Sequence, residues 1–355
     1  HYAAKPAGSQ PQPGAGGPVL RHGMNQQLPK RVLVSGLGSI GRRYCRLIQK
    51  FWPGIQIAAL RSGQGRRVIE ENYLSQCFGS IDEALVWKPD ACIIAGPANT
   101  HMEQSLQFAR RGIPLLIEKP IGTGFEDSVL NNELLALAVS VPIYVGYVLR
   151  HDPCAALIRE QLASGELGRL IAADFFCGTW LPSWRPGQEY RDSVSARREL
   201  GGGALLELSH ELDLAQWLLG PLTPLNAFLR NSGLLDIDVE DQVHLLVQNQ
   251  VGSPISFRLD FCTSPARRVI SLRFANGELA WDLLEGVVCK SGVAQAVSLY
   301  QQGVTSDERF CRQLGLFWKC PAPYQTTLCS VHEGFGVLDL VVQARKLAAE
   351  KEICS

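Results

Sequence analysis

The stretch "KRVLVSGLGSIGRRYCRLIQKF", residues 30–51, decides the architecture. Val32–Ser35 reads as a short apolar strand, Gly36, Gly38 and Gly41 as a turn, and the remainder as an amphipathic helix to about Phe51. In such a turn the first glycine permits the tight bend and the second lets a pyrophosphate approach the backbone. The third lets helix and strand pack closely. The unpaired amides and partial positive charge of the helix N-terminus favour an anion. Strand, turn and helix in this order predict a dinucleotide over Gly36, Gly38, Ser39, Ile40 and Gly41.

Outward from this stretch the same alternation continues. "IQIAALRS" (55–62), "DACIIAG" (90–96), "IPLLIEKP" (113–120) and "PIYVGYV" (142–148) are apolar runs with strand character. Helical patterns fall at about 101–111 and 127–138. Strands alternating with helices imply a parallel sheet covered on both faces, with ligands beyond the carboxyl ends of the strands. Glu118, Lys119 and Pro120 fall at such an end. At the end of the second strand, where an NAD-type site has a carboxylate, the chain offers Arg61 and Ser62, then Arg66 and Arg67. Guanidinium binds phosphate bidentately, so NADP is favoured over NAD; the bland alternative is a set of solvated loop arginines.

After Pro153 the grammar changes. A helix (155–162) leads into the strand "RLIAADFFCG", then a Trp- and Arg-rich loop, then one helix, "GGGALLELSHELDLAQWLLG" (201–220). "ISFRLDF" (255–261) places Ile255, Phe257, Leu259 and Phe261 on one face and polar residues on the other, and "ISLRF" (270–274) repeats this before an "ANGE" hairpin turn. The last helix spans roughly 335–350. The expected fold class is α/β: a Rossmann domain (30–150), then an α+β domain (151–355) with an open antiparallel sheet whose second face meets water or a partner subunit.

Composition narrows the function classes. Lys+Arg and Asp+Glu balance at 34 each, so no global field recruits nucleic acid or an anionic membrane. No apolar run approaches the length of a membrane span. The 11 cysteines include no C-x-x-C pair, which suggests thiols in a reducing cytoplasm rather than a metal site or disulfides. Residues 1–29 read as a Pro-, Gly- and Ala-rich disordered tail or tag, with Met24 the expected true start.

Taken together, the glycine loop, "GPANTH" (96–101), "EKP" (118–120), "GYVLRHDP" (146–153) and the 201–220 segment resemble the glucose-fructose oxidoreductase / inositol dehydrogenase / MocA family. The resemblance runs in order from about residue 31 to 350. It implies a Rossmann domain joined to an α+β domain whose open sheet forms homodimers or homotetramers. It also implies hydride transfer between nicotinamide and a hydroxyl carbon of a sugar, sugar nucleotide or polyol. Lys119 matches the catalytic lysine on the reacting oxygen, and His210 the catalytic histidine. The family's usual Asp four residues before the histidine is Leu206 here, so the carboxylate orienting His210 is Glu207 or Asp213.

Pro97, Asn99, Thr100 and His101, with Glu118, match positions beside the cofactor, though Thr100 could simply cap a helix. Arg150 matches a substrate-facing position. Trp184, Arg185, Tyr190 and Arg191 offer aromatics for a sugar ring and guanidinium groups for an anionic substrate. The alternatives are a redox-neutral lyase or glycosidase using bound NAD(P) transiently, and a non-enzymatic dinucleotide sensor. A sensor has no need of Lys119 and His210.

Overall fold

The computed structural model describes residues 28–61, 63, 69–292, 296–297, 303–319 and 326–352. The expected tail, residues 1–27 of it, lies outside them, as do Ser62, Arg66 and Arg67. Among the described residues, β1 (Arg31–Ser35), β2 (Gln56–Leu60), β3 (Leu74–Phe78), β4 (Ala91–Ile94), β5 (Leu115–Ile117) and β6 (Ile143–Val145) form a parallel sheet. Its order, β6-β5-β4-β1-β2-β3, reverses direction between β1 and β4, the point at which doubly wound sheets open a crevice. Helices α1 (Ser39–Phe51), α2 (Ile81–Val86), α3 (Ala98–Ala109) and α4 (Ser128–Leu137) connect the strands. The central strands β4 and β5 are buried along their whole length, which is why they read as continuous apolar runs. The edge strand β3 carries no fully buried residue, and the apolar pattern did not reveal it.

The second part runs α5 (Pro153–Ser164), β7 (Leu170–Trp180), α6 (Ala204–Glu207), α7 (His210–Leu219), β8 (Leu222–Arg230), β9 (Gln242–Asn249), β10 (Pro254–Asp260), β11 (Cys262–Phe274), β12 (Gly277–Asp282), β13 (Val287–Gly292) and β14 (Ala296–Val297). The sheet order is β14-β13-β12-β11-β7-β10-β9-β8. The expectation of an antiparallel sheet needs one correction: one interior pair, β7 and β10, is parallel, with β7 lying between two later strands. Ile255, Phe257, Leu259 and Phe261 are buried as the alternation required. The opposite face leaves Phe228 and Leu246 exposed.

The chain then returns to the first sheet. Helix α8 (Ser306–Phe317) sets Phe310 edge-on to Tyr44 of α1 at 5.3 Å. Strand β15 (Cys329–Ser330) pairs antiparallel with β6, and α9 (Val331–Glu352) follows. Arg345 of α9 donates to the Thr123 carbonyl at 2.8 Å.

At the junction lies Arg150, just beyond β6 and only 2% exposed. Its Nη2 donates to Asp213 Oδ1 at 2.6 Å, its Nε bridges both Asp213 oxygens, and its Nη1 reaches Glu333 at 2.8 Å. Two sequence expectations are corrected here. Arg150 does not face a substrate pocket, and Asp213, wholly buried against Arg150, does not orient His210. Each has its charge satisfied by the other, which is the condition for burying either. Removing one partner strands the other charge, so Arg150→Ala is expected to lower unfolding free energy by about 3–5 kcal/mol. Urea denaturation measures this, and a loss under about 1 kcal/mol, the scale of a surface pair, contradicts the assignment.

Candidate active site

The glycine turn has the shape a dinucleotide needs. Gly36 holds φ +97°, and a Cβ on Gly41 would sit 1.9 Å from the Gly36 carbonyl oxygen, so strand and helix touch there. A Cβ on Gly38 would meet nothing within 4 Å: this backbone faces open space. Helix α1 begins at Ser39 without a side-chain cap and without an acidic residue in its first turn, leaving its amides for an anion. The residues therefore fit a pyrophosphate across Gly38, Ser39 and Ile40. At the end of β2, Arg61 forms an ion pair with Glu71, a carboxylate brought from ten residues downstream by a 3-10 turn (Ile69–Tyr73).

The neighbouring motifs turn out to hold loops in place. His101 is buried, with Nδ1 2.8 Å from the Pro120 carbonyl oxygen and Nε2 2.9 Å from that of Gly96, and so ties the ends of β4 and β5 together. Thr100 donates its hydroxyl back to Pro97 rather than capping α3, and Asn99 donates to Glu199 of the second part. Glu118 is buried: Tyr44 donates to its Oε1 at 2.5 Å and the Lys119 amide to its Oε2 at 3.3 Å. Burial pushes its pKa up to about 7 against the pull of the Tyr44 hydroxyl and the Lys119 ammonium. Gln313 of α8 donates in turn to Tyr44 at 2.9 Å.

Lys119 and His210 line one cavity of about 320 Å³. The segment 201–220 is not one helix. The Glu211 amide bonds to the Leu208 carbonyl, a tighter spacing than the α-helix uses, and the chain breaks into α6 and α7 with His210 the first residue of α7. The carbonyl of Glu207 is thereby released, and Lys119 Nζ donates to it at 2.9 Å. The Glu207 carboxylate lies 3.8 Å from the same ammonium and accepts a hydrogen bond from Ser195 at 3.0 Å. Glu207 thus serves Lys119, and neither candidate carboxylate orients His210. The ring packs edge-on to Tyr147 at 5.6 Å, and its Nδ1 is buried without a hydrogen-bond partner. Burial, followed by the positive charges of Lys119, Arg268 and Arg309, holds its pKa well below the ordinary 6.5. A neutral imidazole is the form that can take a proton.

Of the aromatic and basic loop residues, only Trp184 reaches the cavity, with its indole N–H on Thr179 at 2.7 Å. Arg185 is half-buried outside it. Tyr190 accepts from the Asp236 amide, and Arg191 pairs with Glu189 at 3.3 Å on the surface. Sequence reasoning missed Cys177, Gly178 and Thr179 of β7 and Ala266, Arg267 and Arg268 of β11, which complete the wall. The only signal for the last was a pair of arginines interrupting an otherwise alternating strand.

Two family models match this chain. Residues 30–142 match the oxidoreductase family with an NAD-binding Rossmann fold, and residues 155–280 match the GFO/IDH/MocA C-terminal domain. The chain belongs to the GFO/IDH/MocA oxidoreductase family. It is 28% identical over 228 residues to inositol 2-dehydrogenase 2 of Saccharopolyspora erythraea, covering 62% of this chain and 63% of that protein. It is 32% identical over 132 residues to the rhizopine catabolism protein MocA of Rhizobium meliloti, 37% of this chain and 38% of that protein. A third relative, the 1,5-anhydro-D-fructose reductase of Ensifer adhaerens, is 28% identical over 232 residues, 63% of this chain and 67% of that protein. The match therefore spans less than two thirds of the length of the first two of these relatives.

Among solved structures, GenD2 from gentamicin A biosynthesis, in complex with NAD, superposes with a TM-score of 0.76 at 18% identity, covering 94% of this chain and 98% of that one. The WlbA dehydrogenase of Bordetella pertussis, in complex with NADH and UDP-GlcNAcA, gives 0.72 at 19% identity, covering 90% and 97%. At such identities the likeness is one of fold. The family's two-part architecture accounts for both sheets of this member.

The depressed pKa of His210 has a measurable consequence. Its contribution to stability is fully present above the unfolded-state value near 6.5 and is lost as pH falls through the lower folded-state value. NMR titration is expected to find the His210 ring neutral at pH 6.5, and an imidazolium at that pH contradicts the site as described.

Proposed function

We propose that the protein is an NAD(P)-dependent oxidoreductase that transfers hydride between nicotinamide and a hydroxyl carbon of a sugar, sugar nucleotide or polyol. The observation that carries this reading is the meeting of Lys119 and His210 in one cavity beyond the carboxyl end of β5. The nicotinamide, when bound, supplies the hydride acceptor or donor. Lys119 holds the reacting oxygen and stabilises the negative charge it gains as its proton leaves. Glu207, steadied by Ser195, holds the ammonium in the cavity wall. His210, neutral at the start, accepts the hydroxyl proton in the oxidative direction and returns it in the reverse direction. Leu208 and Trp184 give the cavity lining apolar surface.

The same proposal assigns NADP(H) as the preferred cofactor, through Arg61. A 2′-phosphate would take the place of Glu71 on that guanidinium. The exposed Leu225, Phe228 and Leu246 on the open sheet support a homodimer or homotetramer through that face. The described cysteines, all free thiols, support a cytoplasmic location.

Lys119→Ala is expected to lower turnover by roughly 10²–10³-fold while cofactor affinity stays within a few-fold, the pattern of a lost transition-state donor. Unchanged turnover removes Lys119 from the mechanism and the reading with it. Titration of both cofactors is expected to give NADP(H) an advantage of roughly tenfold, the scale of one charge-assisted hydrogen bond, and Arg61→Ala is expected to erase it. Equal affinity, or tighter NAD(H), overturns the cofactor assignment.

A further inference from the structure

Arg268 was singled out by no motif, yet its setting is unusual. It projects from β11 opposite Cys177 of β7 and lines the cavity together with Lys119 and His210. Its Nε donates to Glu211 Oε1 at 2.5 Å, and Glu211 is itself wholly buried in the first turn of α7, next to His210. That contact uses the side of the guanidinium. The two terminal nitrogens, Nη1 and Nη2, make no hydrogen bond among the described residues, and the side chain keeps 22% of its surface exposed.

In the structural pair of this fold, Arg150 spends every guanidinium nitrogen on carboxylates, Nε and Nη2 on Asp213 and Nη1 on Glu333. In Arg268 the fork is left open beside the proposed acid/base, and the anchoring carboxylate holds it from the flank. Of the two adjacent arginines, Arg267 is exposed and sets its guanidinium over the Phe176 ring, 5.6 Å from the centroid, whereas Arg268 is held by Glu211 at the cavity wall.

We infer that Arg268 is a substrate-binding residue that receives an anionic substituent, a carboxylate or a phosphate, and that acidic sugars are the substrate class of this site. The inference rests on reading the cavity as the sugar site of an oxidoreductase. A planar or tetrahedral anion accepts two parallel N–H bonds from the open fork, whereas a neutral hydroxyl offers a single uncharged acceptor. The anion also takes up donors that make no hydrogen bond among the described residues.

The test compares matched pairs on the cofactor-loaded protein: glucuronate and glucose 6-phosphate against glucose, and galacturonate against galactose. Thermal shift reads binding, and nicotinamide absorbance reads turnover. At least one acid sugar is expected to bind roughly tenfold or more tightly than its neutral counterpart. The two acid arms distinguish carboxylate from phosphate. Arg268→Gln is expected to bring acid and neutral members to within about twofold of each other, with the loss falling on KM more than on kcat. Arg267→Gln, which alters only the exposed neighbour, is expected to retain the greater part of the preference. Should Arg268→Gln fail to fold because Glu211 is stranded, the double variant Arg268→Gln/Glu211→Gln keeps the comparison available. No acid sugar outperforming its neutral partner, or a preference that survives the loss of Arg268, overturns the inference. Acid-selective binding without turnover on any member of the panel leaves Arg268 standing and counts against the oxidoreductase reading instead.

Discussion

The hydrogen bond from Lys119 to the carbonyl of Glu207 joins the two halves of the molecule at the point where chemistry is proposed. In an unbroken helix that carbonyl would accept the amide four residues on, which belongs to Glu211. Here the Glu211 amide turns to Leu208, so the carbonyl is vacant and an ammonium from the other sheet fills it. The same break makes His210 the first residue of a new helix. One local tightening of the backbone thus sets the position of both proposed catalytic groups. A site built on a strand end and two helix ends is held by rigid elements, which suits a geometry that must be kept to a fraction of an ångström.

Electrostatic pairing divides the charged residues into two kinds. Arg150 and Asp213 neutralise each other in the interior, and Glu118 is shielded beneath Lys119 by Tyr44 and Gln313. Lys119 and Arg268, by contrast, are each paired with a carboxylate and line the cavity. Burial first, and then these cations, depress the pKa of His210. The cations also make the cavity receptive to negative charge, whether it develops on a reacting oxygen or arrives on a substrate.

The second sheet contributes to two surfaces at once. Its inner face sends Cys177, Thr179 and Arg268 toward the cavity, and its outer face exposes Phe228 and Leu246 away from it. The two-residue period of a strand allows this, since successive side chains leave opposite faces. The parallel pairing of β7 with β10 places β7 in the middle of the sheet, so its carboxyl end carries the loop that delivers Trp184 and Ser195.

Local pattern was enough to identify the strand, glycine turn and helix of residues 30–51 and the alternating faces of residues 255–261. In both, burial follows from neighbours a few residues apart, and side-chain periodicity records it directly. The motif lysine and histidine were legible in the same way, as residue types at fixed offsets within local segments. Partners were not. The sequence placed Glu207 and Asp213 symmetrically about His210, but Glu207 serves Lys119, 88 residues away, and Asp213 serves Arg150, 63 away. Arg61 was read without its counter-ion because Glu71 reaches it only through an intervening turn. Arg268 carried no signal beyond its charge, and only the packing of β11 against β7 and α7 brought it to the cavity. A charge pairs with whatever the fold sets within a few ångströms, and that distance is a property of tertiary packing, which local periodicity does not encode.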